Sequence, residues 1–339
     1  MKAIIYTQTG APDVLHPTER SVPDPAPGEV RVRVKVSGVN PTDWKARRGG
    51  PGRPLEYPEI VPNQDGAGII DAVGEGVSPD RVGERVWVWE ASWRRADGTA
   101  QEYVTLPERQ AVALPDDASF DLGASLGIPA LTAHRCLTVG DNGPQRLAPG
   151  TLAGRVVLVA GGAGAVGNAA IQLAKWAGAT VITTVSGPEK AKLAGAAGAD
   201  LVINYRTGAP AEEIREFAPD GVDIVVEVAP SANAALNHDV TVFAGTIAVY
   251  ATDEPADVRL PALRLMLKNI GYRFVLVYTV PEAAKRNAVE DVAAAVAAGA
   301  LQVGEAAGLP LHRFSLDRTA DAHAAVESGA VGKVLIDVA

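Results

Sequence analysis

The run Val156-Val-Leu-Val-Ala160-Gly-Gly162-Ala-Gly164-Ala-Val-Gly167, continued by Asn168-Ala-Ala-Ile-Gln-Leu-Ala-Lys-Trp176, decides the fold. A β-branched strand, a glycine-rich turn and an apolar helix follow one another without a gap. That is the order a dinucleotide site needs. Gly162 allows a tight turn, Gly164 lets the backbone come close to a pyrophosphate, and Gly167 lets the helix pack near the strand. Ala165 and Val166 complete the binding loop, where the helix N-terminus presents unpaired N–H groups and a partial positive charge. The competing reading is an ordinary strand–turn–helix in an alanine-rich chain.

The next strand, Thr180-Val-Ile-Thr-Thr-Val185, bears on which dinucleotide is bound. A site for the non-phosphorylated cofactor usually places Asp or Glu at that strand end, about 20 residues past the glycines, on the ribose 2′-hydroxyl. Here Ser186 stands at the strand end and Lys190 follows on the next helix. A hydroxyl and an ammonium suit a 2′-phosphate, which a carboxylate would repel. The reading is therefore NADPH. Glu189 is the acid that would serve NADH instead, and Lys190 could equally be a plain surface lysine.

The chain has 339 residues, long enough for two domains. Its 47% hydrophobic and 21% charged residues are ordinary for a globular protein. A net charge of −9 speaks against nucleic acid as a partner. No uninterrupted apolar run reaches the roughly 18 residues of a membrane span, and Met1-Lys-Ala-Ile-Ile-Tyr-Thr7 carries no cleavable signal pattern. Cys136 has no partner for a disulfide. A soluble cytoplasmic protein is expected.

Residues 1–124 read as short strands punctuated by Gly and Pro. Val30-Arg-Val-Arg-Val-Lys-Val36 alternates apolar and charged residues, and Gly68–Val73 and Arg85–Trp89 continue the pattern, as in a barrel-like β domain. From about residue 125, strands at Val156–Ala160, Val181–Val185, Leu201–Asn204, Val222–Val228 and Thr246–Tyr250 alternate with alanine-rich helices. Such alternation implies parallel strands with right-handed crossovers, a doubly wound sheet in an α/β protein. A further strand is expected over Tyr272–Val280, then a helix over Glu282–Ala298 and a closing strand after Gly332 that rejoins the first domain.

Gly38-Val-Asn40-Pro-Thr-Asp43, Pro62-Asn-Gln-Asp65-Gly-Ala-Gly68, Val82-Gly-Glu-Arg-Val86, Gly127-Ile-Pro-Ala-Leu-Thr132-Ala, the glycine-rich run, Gly198-Ala-Asp-Leu-Val-Ile-Asn-Tyr205 and Gly332-Lys-Val-Leu335 occur in that order. In these the chain resembles the zinc-free quinone oxidoreductase, or ζ-crystallin-like, branch of the medium-chain dehydrogenase/reductase superfamily. The resemblance implies a GroES-like β-barrel substrate domain from residues 1–124 and 273–339. Between its two parts it implies a Rossmann NADPH-binding domain over 125–272, with the nicotinamide in a cleft. It also implies a homodimer through the strand 272–280. Lys190 and Tyr205, with Ser186 beside them, match residues that hold the 2′-phosphate, and Lys333 matches a lysine that reaches the cofactor from the other domain. Tyr250 and Ala251 match the strand end lining the nicotinamide, and Asn40, Asp43 and Thr132 match positions at the substrate mouth. Plainer roles stand beside these: a turn for Asn40, a helix cap for Asp43, packing for Tyr205.

Zinc members carry a cysteine near Val39–Asn40 and a histidine–glutamate pair where this chain has Gln64-Asp65. With one cysteine, read as a core residue, and five histidines without ligand spacing, no metal site is expected. Without a Lewis acid, reduction of an activated acceptor is favoured over alcohol oxidation. The acceptor would be a quinone or an α,β-unsaturated carbonyl, as in an enoyl or 2-alkenal reductase. Asn40 and Thr132 would donate to the developing oxyanion, and Asp43 would orient them. A non-catalytic, crystallin-like NADPH-binding role is the remaining alternative. In the segment Trp87–Trp93, either Trp89 or Trp93 stacks on an aromatic acceptor, or Trp87 and Trp89 enter the barrel core and Trp93 is partly exposed. The basic stretch Lys45-Ala-Arg47-Arg48 with Arg53 either guides an anionic substrate or is a solvated face.

Overall fold

The computed structural model describes residues 1–50, 55–252 and 257–338. They form two compact units, Met1–Ile128 with Pro310–Ala339, and Pro129–Leu309. Arg53 lies outside the described residues.

The first unit opens with an antiparallel ribbon of β1 (Lys2–Ile5) and β2 (His16–Glu19). Strand β3 (Glu29–Val39) buries Val30, Val32, Val34 and Val36 and turns Arg31, Arg33 and Lys35 outward, as the alternation predicts. It leads into helix α1 (Pro41–Arg48). Strand β4 (Asp65–Val73) pairs with β3 through two register shifts, at Arg31/Val32 and Val34/Val36. Such bulges bend a strand, so β3 serves β4 along its length and β6 (Tyr103–Pro107) along its first half. Strand β5 (Arg85–Val88) pairs with β4 on one side and with β7 (Ala111–Ala113) on the other. Val30, Val32, Val34, Ile70, Val86 and Val104 fill the barrel. The short helix α2 (Phe120–Gly123) follows, and α3 (Gly127–Thr138) starts at the unit boundary.

In the second unit, β8 (Val156–Ala160) is followed by helix α4 (Ala165–Trp176), β9 (Thr180–Val185) by α5 (Pro188–Ala196), and β10 (Leu201–Asn204) by α6 (Pro210–Phe217). Then come β11 (Val222–Glu227), α7 (Pro230–Val240), β12 (Thr241–Val249), α8 (Ala262–Lys268), β13 (Gly271–Phe274) and α9 (Glu282–Ala297). The sheet is parallel, in the order β10-β9-β8-β11-β12-β13. After β8, the next two strands (β9, β10) run outward on one side of it and the following three (β11, β12, β13) on the other. Chain direction therefore reverses between β8 and β11, which opens a crevice at their carboxyl ends.

The chain then returns through β14 (Leu311–Ser315), α10 (Thr319–Glu327) and β15 (Lys333–Asp337). Strand β15 pairs antiparallel with β3, Val334 opposite Val39, so the tail rejoins the first unit as expected. The return falls at Pro310, however, not at 273. Helix α9 is tied to the second unit through Asp291, which accepts bonds from His134, Arg146 and the Leu147 amide at 2.6–2.8 Å. The segment after it is held by Asn168, whose Nδ2 donates to the Ala307 carbonyl at 2.8 Å.

The long strand expected over 272–280 is also shorter. Val249 ends β12 opposite Phe274, so the ladder has no further partner, and Val277–Thr279 coil into a single turn that buries Val277 and Tyr278. Phe274 and Leu276 stay 69% and 55% exposed on the outer edge. Among the described residues no helix is long and apolar enough to cross a membrane.

Candidate active site

The loop after β8 takes its shape from glycines, though not with the division of labour expected. The left-handed residue is Gly161, φ +73°, so the tight turn belongs to it and not to Gly162. A Cβ on Gly162 would stand 2.2 Å from Thr183 Oγ1, which is fixed by a 2.7 Å bond to the Val159 carbonyl. A Cβ on Gly167 would stand 2.4 Å from the Gly161 carbonyl oxygen. Both glycines therefore let α4 lie directly on the strand turn. Gly164 is different: it is exposed, it is the N-cap of α4, and no side chain caps the helix there. The amides of Ala165, Val166 and Gly167 open the helix at the crevice, the arrangement that holds a diphosphate.

One strand over, the carboxyl ends of β9 and β10 lie side by side. Val185 is opposite Asn204, and the Tyr205 amide bonds the Val185 carbonyl at 3.1 Å. This places Tyr205 beside Ser186, with half-buried Lys190 in the first turn of α5. Among the described residues no carboxylate pairs with Lys190. Glu189, the alternative ribose ligand, is exposed and paired with Lys192 at 3.0 Å. Tyr205 is half exposed, so it is not a core packing residue. On the other side of the crevice, Tyr250 and Ala251 follow β12, with the Tyr250 amide bonded to the Glu227 carbonyl at 3.0 Å.

Glu227 itself escaped the sequence reading. It is fully buried at the end of β11, accepts from the Ala229 amide at 2.5 Å and Asn233 Nδ2 at 2.9 Å on one oxygen, and from Asn237 Nδ2 at 2.6 Å on the other. It thereby pins the start of α7 to the crevice. The signal was present: a carboxylate closing an apolar strand, followed by two asparagines one helical turn apart.

The first unit holds a second cluster, buried where β3 ends. Asn40 Nδ2 donates to Asp65 Oδ2 at 2.7 Å, and Lys333 Nζ donates to Asn40 Oδ1 at 2.7 Å and lies 3.5 Å from Asp65 Oδ2. The other Asp65 oxygen takes the Ile128 amide at 2.9 Å. Asp43 accepts the amides of Asn40 at 2.6 Å and Gln64 at 3.1 Å, so it does cap the start of α1, from the third helical position. Burial, and then the neighbouring Asp65 carboxylate, push the Asp43 pKa up to about 8. Burial raises Asp65 and lowers Lys333, each against the pull of the other. Lys333 is 1% exposed, and its ammonium is bonded to Asn40 within its own unit.

Behind this cluster runs a chain whose hydrogen directions are fixed. Asn63 Nδ2 donates to Ser37 Oγ, leaving Ser37 to donate to Thr99 Oγ1, which donates to the Asp65 carbonyl. His323 Nε2 donates to Asn63 Oδ1 at 2.9 Å, and burial with nearby Arg47 holds its pKa down to about 3. His323 is a neutral strut and no proton shuttle. Thr132 lies on α3, buried.

Two further expectations resolve. Arg47 is buried, bonded to the Gly10 carbonyl and Glu327, and Arg48 pairs with the same Glu327, so these two arginines are engaged within the unit. Trp87 and Trp89 are buried in the barrel, and Trp93 is half-buried with the Arg94 guanidinium 5.6 Å from its ring centre. Cys136 is buried on α3, which raises its thiol pKa.

Comparison with known proteins agrees with these features. A family model described as alcohol dehydrogenase GroES-like domain matches residues 26–116, and one described as zinc-binding dehydrogenase matches 165–299. A rat quinone oxidoreductase is 34% identical over 241 residues, 70% of this chain and 69% of that protein. The chain belongs to the medium-chain dehydrogenase/reductase superfamily, in its zinc-free quinone oxidoreductase branch. Escherichia coli quinone oxidoreductase complexed with NADPH superimposes with a TM-score of 0.80 at 25% identity, covering 99% of this chain and 100% of that one. An NAD-dependent alcohol dehydrogenase reaches 0.85 at 27% identity with both chains fully covered.

The metal named in the second family description does not fit this member of the superfamily. At the place of the expected ligands stand Asn40, Gln64 and Asp65, and an ammonium already lies against Asp65. Among the described residues no three His, Cys, Asp or Glu side chains are grouped to hold a metal ion.

Proposed function

We propose that this enzyme uses NADPH to reduce a quinone by hydride transfer without a metal. The observation that carries the cofactor reading is the group Ser186, Lys190 and Tyr205 at two adjacent strand ends, without a carboxylate partner on Lys190 among the described residues and with Glu189 engaged by Lys192. A 2′-phosphate would meet a hydroxyl, an ammonium and a phenol there, all able to donate. The glycine-rich loop fits the diphosphate, because Gly164 leaves the helix amides uncovered. When bound, the reduced nicotinamide supplies a hydride. The residues do the rest: Tyr250 and Ala251 would line the ring, and Asn40 and Thr132 would donate hydrogen bonds to the acceptor oxygen that gains charge. Asp43 holds the backbone that carries Asn40.

A quinone is preferred to a 2-alkenal or enoyl substrate on the ground of the relatives' activity, since the residues around Asn40 serve either. We place the enzyme in the cytoplasm, in keeping with its single buried cysteine. We also propose a homodimer through β13, an edge strand that carries exposed Phe274, with Leu276 just past its end and Leu263, Met266 and Leu267 of α8 exposed as well.

The test follows loss of the reduced-nicotinamide absorbance with NADPH and NADH, each against a small quinone and a 2-alkenal. Fast loss with NADPH and quinone alone supports the reading. Faster turnover with the alkenal moves the enzyme to the enoyl reductases, and tight NADPH binding with no turnover of either acceptor points to a non-catalytic role.

A further inference from the structure

Lys333 poses a physical question. A buried ammonium costs several kcal/mol in desolvation, and a buried ion pair seldom repays this as stability. It is closely packed all the same: a Cβ on Gly38 of β3 would stand 2.0 Å from the Ala124 carbonyl oxygen and 3.1 Å from Lys333 Cε and Nζ. The group that both charges touch is the Asn40 amide.

An asparagine side chain can flip, exchanging its oxygen and nitrogen at little cost. Lys333 only donates and an ionised Asp65 only accepts, so a single orientation satisfies both. In it Oδ1 faces Lys333, one Nδ2 hydrogen faces Asp65, and the second Nδ2 hydrogen is left for another acceptor. The backbone of Asn40 is fixed as well, through its amide bond to Asp43. We propose that Lys333, together with Asp65, is a positioning residue that locks the Asn40 amide so that its remaining N–H meets the acceptor oxygen on which charge develops. This rests on the quinone reductase reading above. It assigns Lys333 to the acceptor rather than to the cofactor.

The test compares wild type, Asn40→Ala, the double variant Asp65→Asn/Lys333→Met, and the triple variant combining them. Lys333→Met alone leaves a buried carboxylate uncompensated and can unfold the barrel, whereas the double variant removes both charges at similar volume. An asparagine at 65 both donates and accepts, so it no longer selects one orientation of Asn40. The double variant is expected to melt close to wild type and bind NADPH within about twofold, by fluorescence titration. Its quinone KM stays near wild type while kcat falls about 100-fold, the lower end of the range for losing an oxyanion donor. Asn40→Ala lowers kcat comparably, and the triple variant is no slower than Asn40→Ala.

Retained kcat in a folded double variant overturns the proposal. So does lost NADPH affinity with kcat kept, because Lys333 then holds the cofactor. Multiplicative losses in the triple variant also overturn it, since Lys333 would not act through Asn40. A wild type that binds NADPH and reduces neither acceptor refutes the functional reading itself, and the positioning role falls with it.

Discussion

Gly164→Ala separates the cofactor role of the loop from its structural role. The residue has φ −83°, open to any amino acid, and a Cβ there would meet nothing closer than the Gly161 carbonyl oxygen at 3.5 Å, an ordinary contact. Alanine is a poorer N-cap than glycine by about 0.5–1 kcal/mol, but it also restricts the unfolded chain by about 0.4–1 kcal/mol, so the two nearly cancel. Melting temperature should therefore move by only a few degrees. The diphosphate would feel the methyl group directly. Forcing one methyl into a close-packed contact costs about 1–3 kcal/mol, which corresponds to roughly 5- to 150-fold weaker NADPH binding. Fluorescence titration with NADPH beside thermal unfolding of the same preparation reads both quantities. Gly167→Ala is the contrast: its Cβ would meet the Gly161 carbonyl oxygen at 2.4 Å, so stability and affinity should fall together. A folded Gly164→Ala protein that binds NADPH like wild type would refute the placement of the diphosphate over this turn.

Lys190→Ala should weaken NADPH by about 10- to 100-fold, one charge-assisted hydrogen bond of about 1.5–3 kcal/mol, and leave NADH unchanged; equal losses for both in parallel titrations would contradict the 2′-phosphate assignment. Asp43 has its folded pKa raised to about 8, above the ordinary carboxyl value of 3.8. The folded state then holds a proton that the unfolded state releases, so stability falls as pH rises between these values, by at most about 1.4 kcal/mol per pH unit. Asp43→Asn should flatten that decline in denaturant melts from pH 5 to 9, and an unchanged slope would assign the titration to another group. Leu276→Glu, alone or with Phe274→Glu, should shift a dimer to monomer in sedimentation with little change in monomer stability; an unchanged sedimentation coefficient would rule out pairing through β13.

Much of this was legible in the chain because local patterns are also local forces. The alternation in Val30–Val36 became one buried face of β3, and the glycine-rich run became a strand, turn and helix in place. What escaped depends on partners distant in sequence. Tyr272–Val280 reads as one apolar strand, but β12 supplies only four residues of ladder, ending at Val249, and that cannot be seen from the run itself. The domain return was misplaced because the tie between α9 and its unit is Asp291 with His134 and Arg146, far apart in the sequence. Lys333 was legible as a family position, yet its burial against Asn40 and Asp65 joins residues from opposite ends of the chain. Likewise Arg47 and Arg48 read as a surface patch until Glu327 is brought alongside.

The most direct test of the central claim is a crystal structure of the enzyme with NADPH bound. It should show the 2′-phosphate within hydrogen-bond distance of Ser186 Oγ, Lys190 Nζ and Tyr205 Oη, and the diphosphate on the amides that open α4. A cofactor whose adenine ribose instead turns to Glu189, with Lys190 in solvent, would contradict the account.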